Sequence, residues 1–358
     1  MFTLSLCMIV RNEEDVIERC LDSVKELADE IIIVDTGSKD NTLELLKAYD
    51  CEIYHFKWIY DFSAARNYSF SKATKDYIMW LDADDIIEPA DKIKLLDLKA
   101  SLDSAPDIMM LKYNVGFDEN GNVNFSYFRE RIIKRTSNLK WIDRVHEYIS
   151  PTGQIMNVDI AVTHKKVHPS EAGRNLKIYE KMLSDGVTFS ARNLYYYARE
   201  LYYSKEYEKA SDKFQQFLEL KEGWVEDKIG ACFNLSNCYK ELKELEKSKN
   251  TLIKSFQFDT PRAEICCELG LYYLNKGDYD RAIDWYTIAT TLKPPENSWG
   301  FILYDYWNFI PWIQLCVCYY KKGNIEESIR CNKKASVFKP NDPSIIYNNA
   351  FFDSLKSH

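Results

Sequence analysis

The stretch Tyr77-Ile78-Met79-Trp80-Leu81-Asp82-Ala83-Asp84-Asp85 constrains this chain more than any other. An apolar run that stops in three acidic residues within four positions reads as a buried strand. Its carboxyl end opens into a crevice, where open α/β sheets place their ligands. Carboxylates that close together repel and raise each other's pKa unless a positive charge lies between them. Two carboxylates at i and i+2 suit an oxygen-preferring divalent cation such as Mn2+ or Mg2+, which also neutralises phosphates. The same residues suit a simpler reading, a strand followed by an acidic N-cap for a helix starting near Pro89. The choice depends on what surrounds them.

The surroundings favour the crevice. Residues 3–10 read as a strand, and residues 14–27 place Val16, Ile17, Cys20, Leu21, Val24 and Leu27 at helical spacing. Glu30–Asp35 is a β-branched run, followed by the turn residues Thr36-Gly37-Ser38-Lys39-Asp40-Asn41 and a helix over 42–49. A strand over 52–56, a helix over 63–73 and the strand at 77–81 extend the alternation. Such a β-α series calls for a largely parallel sheet covered by helices on both faces. Asp35 ends one buried strand just before Gly37, so its carboxylate belongs to the same edge as Asp82 and Asp84. The next loop brings Asp61, Arg66 and Asn67, and a guanidinium there suits a diphosphate through two parallel hydrogen bonds.

Length and charge narrow the classes. At 358 residues the chain exceeds one ordinary core and divides into at least two domains. A formal charge of -8 argues against general affinity for nucleic acid or an anionic membrane. The apolar start of the chain lacks a basic residue ahead of it and runs into Arg11-Asn12-Glu13-Glu14-Asp15, which reads as a first strand rather than a signal peptide. No uncharged run approaches the ~20 residues that span a bilayer. The ten cysteines show no C-x-x-C pairing and read as small buried hydrophobes in a reducing compartment. A soluble, cytoplasmic protein is the expectation. Neither G-x-G-x-x-G nor a Walker sequence occurs, which weakens a dehydrogenase or kinase reading.

Four motifs then point to one family. Cys7-Met8-Ile9-Val10-Arg11-Asn12-Glu13-Glu14, Ile33-Val34-Asp35-Thr36-Gly37-Ser38-Lys39-Asp40-Asn41-Thr42, Phe62-Ser63-Ala64-Ala65-Arg66-Asn67 and Leu81-Asp82-Ala83-Asp84-Asp85 occur in the order and spacing of the family 2 nucleotide-sugar glycosyltransferases. Over about the first 170 residues the chain resembles that family, whose fold is GT-A, a Rossmann-like, mostly parallel sheet. The resemblance implies that Asp35 contacts the nucleotide base, that Arg66 approaches the diphosphate, and that Val10, Asn12 and Ala83 line the donor site. Asp82 and Asp84 would form the DxD element, with Asp84 the direct ligand to Mn2+ or Mg2+ and a UDP-sugar the donor.

Further strands are expected at 108–111 and 125–133, the latter carrying Arg129, Arg131 and, just beyond, Arg135, which read as a solvated face. Residues 141–149 alternate polar and apolar as one strand. Family resemblance carries a general base to Glu147, with Asp143 as runner-up, opposite the diphosphate so that one displacement inverts the anomeric carbon. It also implies a late histidine ligand to the metal at His164, with neighbouring His168 as the competing choice. The glycine and tyrosine that usually follow this histidine are missing.

From about Gly173 the chain changes character, which sets domains at 1–172 and 173–358. Small residues Ala210, Ser248, Ala282 and Ser328 recur at intervals of 38, 34 and 46, each preceded twelve positions earlier by another, Ala198, Ser236, Gly270 and Cys316. Small residues let paired helices approach, and Pro261, Pro294 and Pro340 close the second helix of a pair. This pattern resembles the tetratricopeptide repeat, a helix pair of 34 residues. The longest interval holds an insertion around Trp299 to Trp312, placed to face the active site, and a last helix over 344–355 caps the array. A transferase joined to such repeats resembles the sublancin-type peptide S-glycosyltransferases. That resemblance implies a peptide or protein acceptor at Cys, Ser or Thr, with the repeats recruiting it or building a homodimer. Transfer to a cell-surface glycan or lipid-linked sugar, and an inactive repeat scaffold, are the competing readings.

Overall fold

The structure, a computed structural model, describes residues 2–102, 106–118, 121–167, 171, 173–295 and 299–356. Two compact units divide it, Met1–Thr188 and Phe189–His358.

The first unit contains β1 (Leu4–Val10), α1 (Ile17–Val24), β2 (Glu30–Asp35), α2 (Thr42–Leu45), β3 (Glu52–His55), α3 (Phe62–Phe70), β4 (Tyr77–Trp80), β5 (Asp85–Ile86) and α4 (Pro89–Ser101). There follow β6 (Ile108–Phe117), β7 (Val123–Lys134), β8 (Trp141–Ile142), β9 (Tyr148–Ile149), β10 (Ile155–His164) and α5 (Arg174–Ser184). The strand order is β3-β2-β1-β4-β7-β6-β10-β5. The first four strands are parallel, β7 runs antiparallel to β4 and β6, and β10 is parallel to β6.

The pleat explains the layers. Along β1, Leu4, Leu6, Met8 and Val10 project into a core with Ile17, Cys20, Leu21 and Val24 of α1 and Leu95 of α4. Cys7 faces the opposite side, where Ile32, Ile78 and Trp80 pack with Phe70 of α3 and Trp141. Both faces are therefore covered, which is why β1, β2 and β4 are almost wholly apolar. In register, Val10 lies opposite Asp35 and Cys7 opposite Trp80. The carboxyl ends of three adjacent parallel strands thus share one edge of the sheet. At the far side, His164 of β10 pairs in register with Asp85 of β5.

Three local expectations change. Residues 141–149 are not one strand but the two-residue strands β8 and β9 joined by a turn, with Asp143 and His146 in the left-handed region at φ 73° and 51°. Alternation of polarity here reflects a tight turn, whose inner and outer residues also alternate. Arg131 is not solvated but fully buried, Arg129 is half-buried, and only Arg135 lies in the open. The contacts divide the chain at Thr188 rather than Gly173, because α5 belongs with the first unit. Arg174 lies over Phe62 at 4.9 Å, Tyr179 stacks on His146, and Asp185 pairs with Arg144 at 2.8 Å.

The second unit is helical: α6 (Ala191–Tyr203), α7 (Tyr207–Glu219), α8 (Val225–Glu241), α9 (Leu245–Lys254), α10 (Ala263–Asn275), α11 (Tyr279–Thr291), α12 (Tyr304–Trp307), α13 (Phe309–Lys321), α14 (Ile325–Phe338) and α15 (Pro343–Lys356). Four antiparallel pairs, α6/α7, α8/α9, α10/α11 and α13/α14, carry the small residues where the helices cross. Ser236 Oγ meets Ser248 Oγ at 2.8 Å, and Ser328 Oγ donates to Cys316 O at 2.7 Å. A Cβ at Gly270 would fall 2.8 Å from the Tyr286 ring, so only glycine lets that ring pack there. No helix among the described residues is long and apolar enough to cross a membrane. All ten cysteines are unpaired, and all but Cys51 are buried.

One acid gives this unit a pH response. Glu264 in α10 has a buried Oε2 with no hydrogen-bond partner among the described residues, and burial pushes its carboxyl up from 4.5 to about 7. The folded state therefore holds the proton more tightly than the unfolded chain. The contribution is fully present below 4.5 and is lost as pH rises through about 7. Glu264→Gln is expected to raise the unfolding free energy by ~1–3 kcal/mol at about pH 8 and change it little at about pH 4. Urea unfolding at the two pH values measures both.

Candidate active site

The acidic turn is folded on itself. Asp85 N donates to Asp82 O at 3.0 Å, and Asp82 N donates to Asp85 Oδ2 at 3.1 Å. Asp85 is fully buried and its oxygens are taken: Oδ2 also meets Arg131 Nη1 at 3.1 Å, and Oδ1 meets Tyr113 OH at 2.8 Å and His164 Nδ1 at 3.2 Å. Arg131, itself fully buried, lies 3.8 Å over the Trp80 ring and 4.3 Å over Tyr113. A carboxylate at this depth needs a cation in contact, which explains why an arginine occupies an inward position on β7.

Asp84 is half-buried, with Oδ1 3.4 Å from His164 Nδ1. Burial raises its carboxyl, Asp82 and Asp85 add to the rise, and His164 opposes it. His164 is also raised: burial works against its charge, but the hydrogen bond it donates to Asp85 and the field of Asp84 outweigh it. Ligating atoms of Asp84, Asp85 and His164 lie within 4.8 Å of one another. The expectation paired Asp82 with Asp84 at the metal. Asp82 does not join this group, because its Oδ1 accepts from Arg66 Nη2 at 2.7 Å. With the oxygens of Asp85 already taken, Asp84 and His164 keep capacity for a cation. His168 lies outside the described residues.

Arg66 is committed to protein partners, which departs from the expected approach to a diphosphate. Its Nε donates to Glu147 Oε1 at 2.7 Å while Nη2 holds Asp82. The guanidinium lies against the edge-to-face pair of Trp80 and Trp141, 4.7 and 4.9 Å from their ring centres, the rings themselves 4.8 Å apart. Burial opposes ionisation of Asp82, but Arg66, helped by Arg131, holds its carboxyl down at about 2. Local sequence places this clamp. Asp61 caps α3 through Ala64 N at 2.9 Å, and Asn67 fixes Trp141 with Nδ2 to its carbonyl and Oδ1 from its amide, both 2.9 Å. The turn through Asp143 and His146 then swings Glu147 back to Arg66, where Arg129 Nη2 also donates to the Glu147 carbonyl at 3.3 Å.

The remaining expected residues build the loop after β2. Asp35, 4 % exposed, accepts from Gly37 N at 3.1 Å and Ser38 N at 3.0 Å, with His55 Nδ1 3.5 Å away. Gly37 has φ 110°, which requires glycine. Asn12, at φ 56°, donates from its backbone to Ser38 Oγ and accepts from Lys39 N. Val10 O accepts from Thr36 N at 3.0 Å, and Ala83 is buried.

Glu13 was not among the expected site residues. Burial pushes its carboxyl up to about 7, and the charges of Asp84, Asp82 and Asp40 add to the rise. Its signal was its place in the Arg11-Asn12-Glu13-Glu14 motif. Tyr113 carried no local signal, and Arg131 was noticed only as part of a face expected to be solvated.

Comparison with known proteins adds to this geometry. Residues 5–163 match the model for glycosyl transferase family 2, and residues 229–260 and 263–296 match tetratricopeptide repeats. The glycosyltransferase SunS of Bacillus phage SPbeta is 31% identical over 225 residues, 59% of this chain and 52% of that protein. A TPR repeat-containing protein of Synechococcus elongatus is 48% identical over 85 residues, 24% of this chain and 21% of that protein. The lipopolysaccharide core biosynthesis glycosyltransferase LpsC of Rhizobium meliloti is 26% identical over 170 residues, 43% of this chain and 59% of that protein. The chain thus spans between about a fifth and three fifths of the length of these relatives.

Proposed function

This chain joins a glycosyl transferase family 2 domain to tetratricopeptide repeats, and from that premise we propose that it is an inverting, metal-dependent transferase moving a sugar from a UDP-linked donor to a peptide side chain. The observation that carries the reading is the acidic turn after β4, where Asp84 lies beside His164 and Asp82 is tied through Arg66 to Glu147, with Asp35 at the carboxyl end of a strand two places along the same parallel sheet. Asp35 and the loop it braces receive the base. Asp84 and His164 would hold Mn2+ or Mg2+, which when bound would supply Lewis-acid stabilisation of charge on the departing diphosphate. Glu147 accepts the proton of an acceptor hydroxyl or thiol as that atom bonds to the anomeric carbon and the bond to the diphosphate oxygen breaks. Arg66 positions Glu147 for this step, and Asp143 is the alternative base.

The resemblance to peptide S-glycosyltransferases supports a Cys, Ser or Thr acceptor recruited through the repeats, in the cytoplasm where unpaired cysteines persist. A second reading, transfer to a cell-surface glycan or lipid-linked sugar, is favoured by the match to LpsC. Labelled-sugar transfer into the protein fraction as against the lipid fraction of a lysate separates the two. Asp84→Ala is expected to abolish metal-dependent donor binding, read by calorimetry and by a thermal-shift screen of nucleotide sugars with and without Mn2+. Unchanged donor affinity would overturn the metal role. Absence of any nucleotide-sugar stabilisation in the wild type would favour an inactive scaffold.

A further inference from the structure

The turn that carries Glu147 is held from outside its own two strands. Asp143 and His146 lie in the left-handed region at φ 73° and 51°, uncommon for residues with a Cβ and kept only where neighbouring structure fixes the chain. Three holders act on the backbone or on Glu147 itself. Phe62 N of α3 donates to Arg144 O at 2.8 Å, Arg66 Nε to Glu147 Oε1 at 2.7 Å, and Arg129 Nη2 to Glu147 O at 3.3 Å. The turn's other side chains are taken by α5. Arg144 Nη1 donates to Asp185 Oδ2 at 2.8 Å, and the His146 ring stacks on Tyr179 with centroids 6.3 Å apart and planes 23° apart.

The spacing along α5 explains the contact. Arg174, Ile178 and Met182 stand four apart on one face of the helix, and Asp185 closes that face at the C-cap. Ile178, Tyr179 and Met182 are buried, so the helix is anchored in the unit it braces. At the other end Arg174 lies 4.9 Å over the ring of Phe62, the residue whose amide holds Arg144 O. Contacts of α5 therefore reach both partners of that hydrogen bond. The match to glycosyl transferase family 2 ends at residue 163, before this helix begins.

We propose that α5 is a positioning element for the transfer step: Asp185 and Tyr179, through Arg144 and His146, fix the β8–β9 turn and with it the carboxylate of Glu147. The proposal rests on the reading of Glu147 as the base. Both members of the Arg144–Asp185 pair are partly exposed, so the pair adds little to the stability of the whole unit. Its effect falls on where the turn sits, and a reacting group displaced by about 1 Å can lose ~100-fold in rate.

The test uses the full chain with Asp185→Lys, alone and together with Arg144→Glu, which rebuilds the pair with its charges exchanged. The first readout needs no substrate. Asp185→Lys is expected to speed hydrogen exchange of the Phe62 amide by at least ~10-fold, read by NMR, while the amides of Ala65 to Phe70 in the same helix keep wild-type protection. The exchanged pair should restore Phe62. Wild-type exchange at Phe62 in Asp185→Lys, or a loss that the exchanged pair does not repair, overturns the proposal. The second readout is Mn2+-dependent turnover of UDP-glucose, UDP-galactose and UDP-N-acetylglucosamine. For a donor that the wild type uses, Asp185→Lys should lower kcat by roughly 10- to 100-fold at unchanged donor KM, and the exchanged pair should recover most of it. An unchanged kcat beside faster Phe62 exchange, or a rise in KM alone, overturns the positioning role. A wild type that turns over none of the three counts against the transferase reading, and Phe62 exchange then decides whether α5 holds the turn.

Discussion

Glu147→Gln is expected to lower turnover by roughly two to four orders of magnitude while donor affinity stays at the wild-type level, as for loss of a general base. The two side chains have the same shape, so the Gln carbonyl oxygen keeps the contact that Arg66 Nε makes to Glu147 Oε1 at 2.7 Å. An amide oxygen cannot take the acceptor proton at neutral pH, and that is the single property the substitution removes. Single-turnover kinetics with calorimetry of the donor separate the two effects. Normal turnover would move the base to Asp143 or another group, and a matching loss of donor affinity would make Glu147 a binding residue instead.

Arg66→Ala should be the most damaging substitution for the first unit, lowering its unfolding free energy by about 3–5 kcal/mol, the usual consequence of stripping one partner from a buried ion pair. The guanidinium serves two carboxylates, Asp82 and Glu147, and packs against the touching indoles of Trp80 and Trp141. Its removal strips both acids of their contacting cation and uncovers one side of the Trp80–Trp141 pair. Lysine is no rescue, because one ammonium cannot reproduce the two N–H directions of Nε and Nη2. Arg66→Ala also shifts acid sensitivity. Asp82 is held at about 2 against an ordinary 3.8, so its stabilising contribution is present above 3.8 and is lost as pH falls through about 2. Without Arg66 that loss moves to higher pH. Urea unfolding across the acid range measures both effects, and a loss under ~1 kcal/mol would mean that solvent already screens the pair.

The local elements were legible because they follow from periodicity alone. Apolar runs at Leu4–Val10, Glu30–Asp35 and Tyr77–Trp80 have no amphipathic alternative to burial on both faces. The twelve-residue offset of small residues reports helix crossings directly, as Ser236 with Ser248 and Cys316 with Ser328 show. Where pattern misled, a turn imitated a strand at 141–149, and an inward arginine at 131 imitated a solvated one.

By itself, then, the sequence determined a mostly parallel sheet followed by paired helices, and it put acidic residues at the ends of neighbouring strands. Only the tertiary structure decided which charges neutralise which: Arg131 with Asp85, Arg66 with both Asp82 and Glu147, and His164 between Asp84 and Asp85. The physical reason is range. Strand and helix formation are governed by neighbours a few positions away, whereas the charge pairing links residues 81 positions apart for Arg66 and Glu147 and 79 for Asp85 and His164. The desolvation that makes such pairs obligatory arises only once the sheet has closed around them.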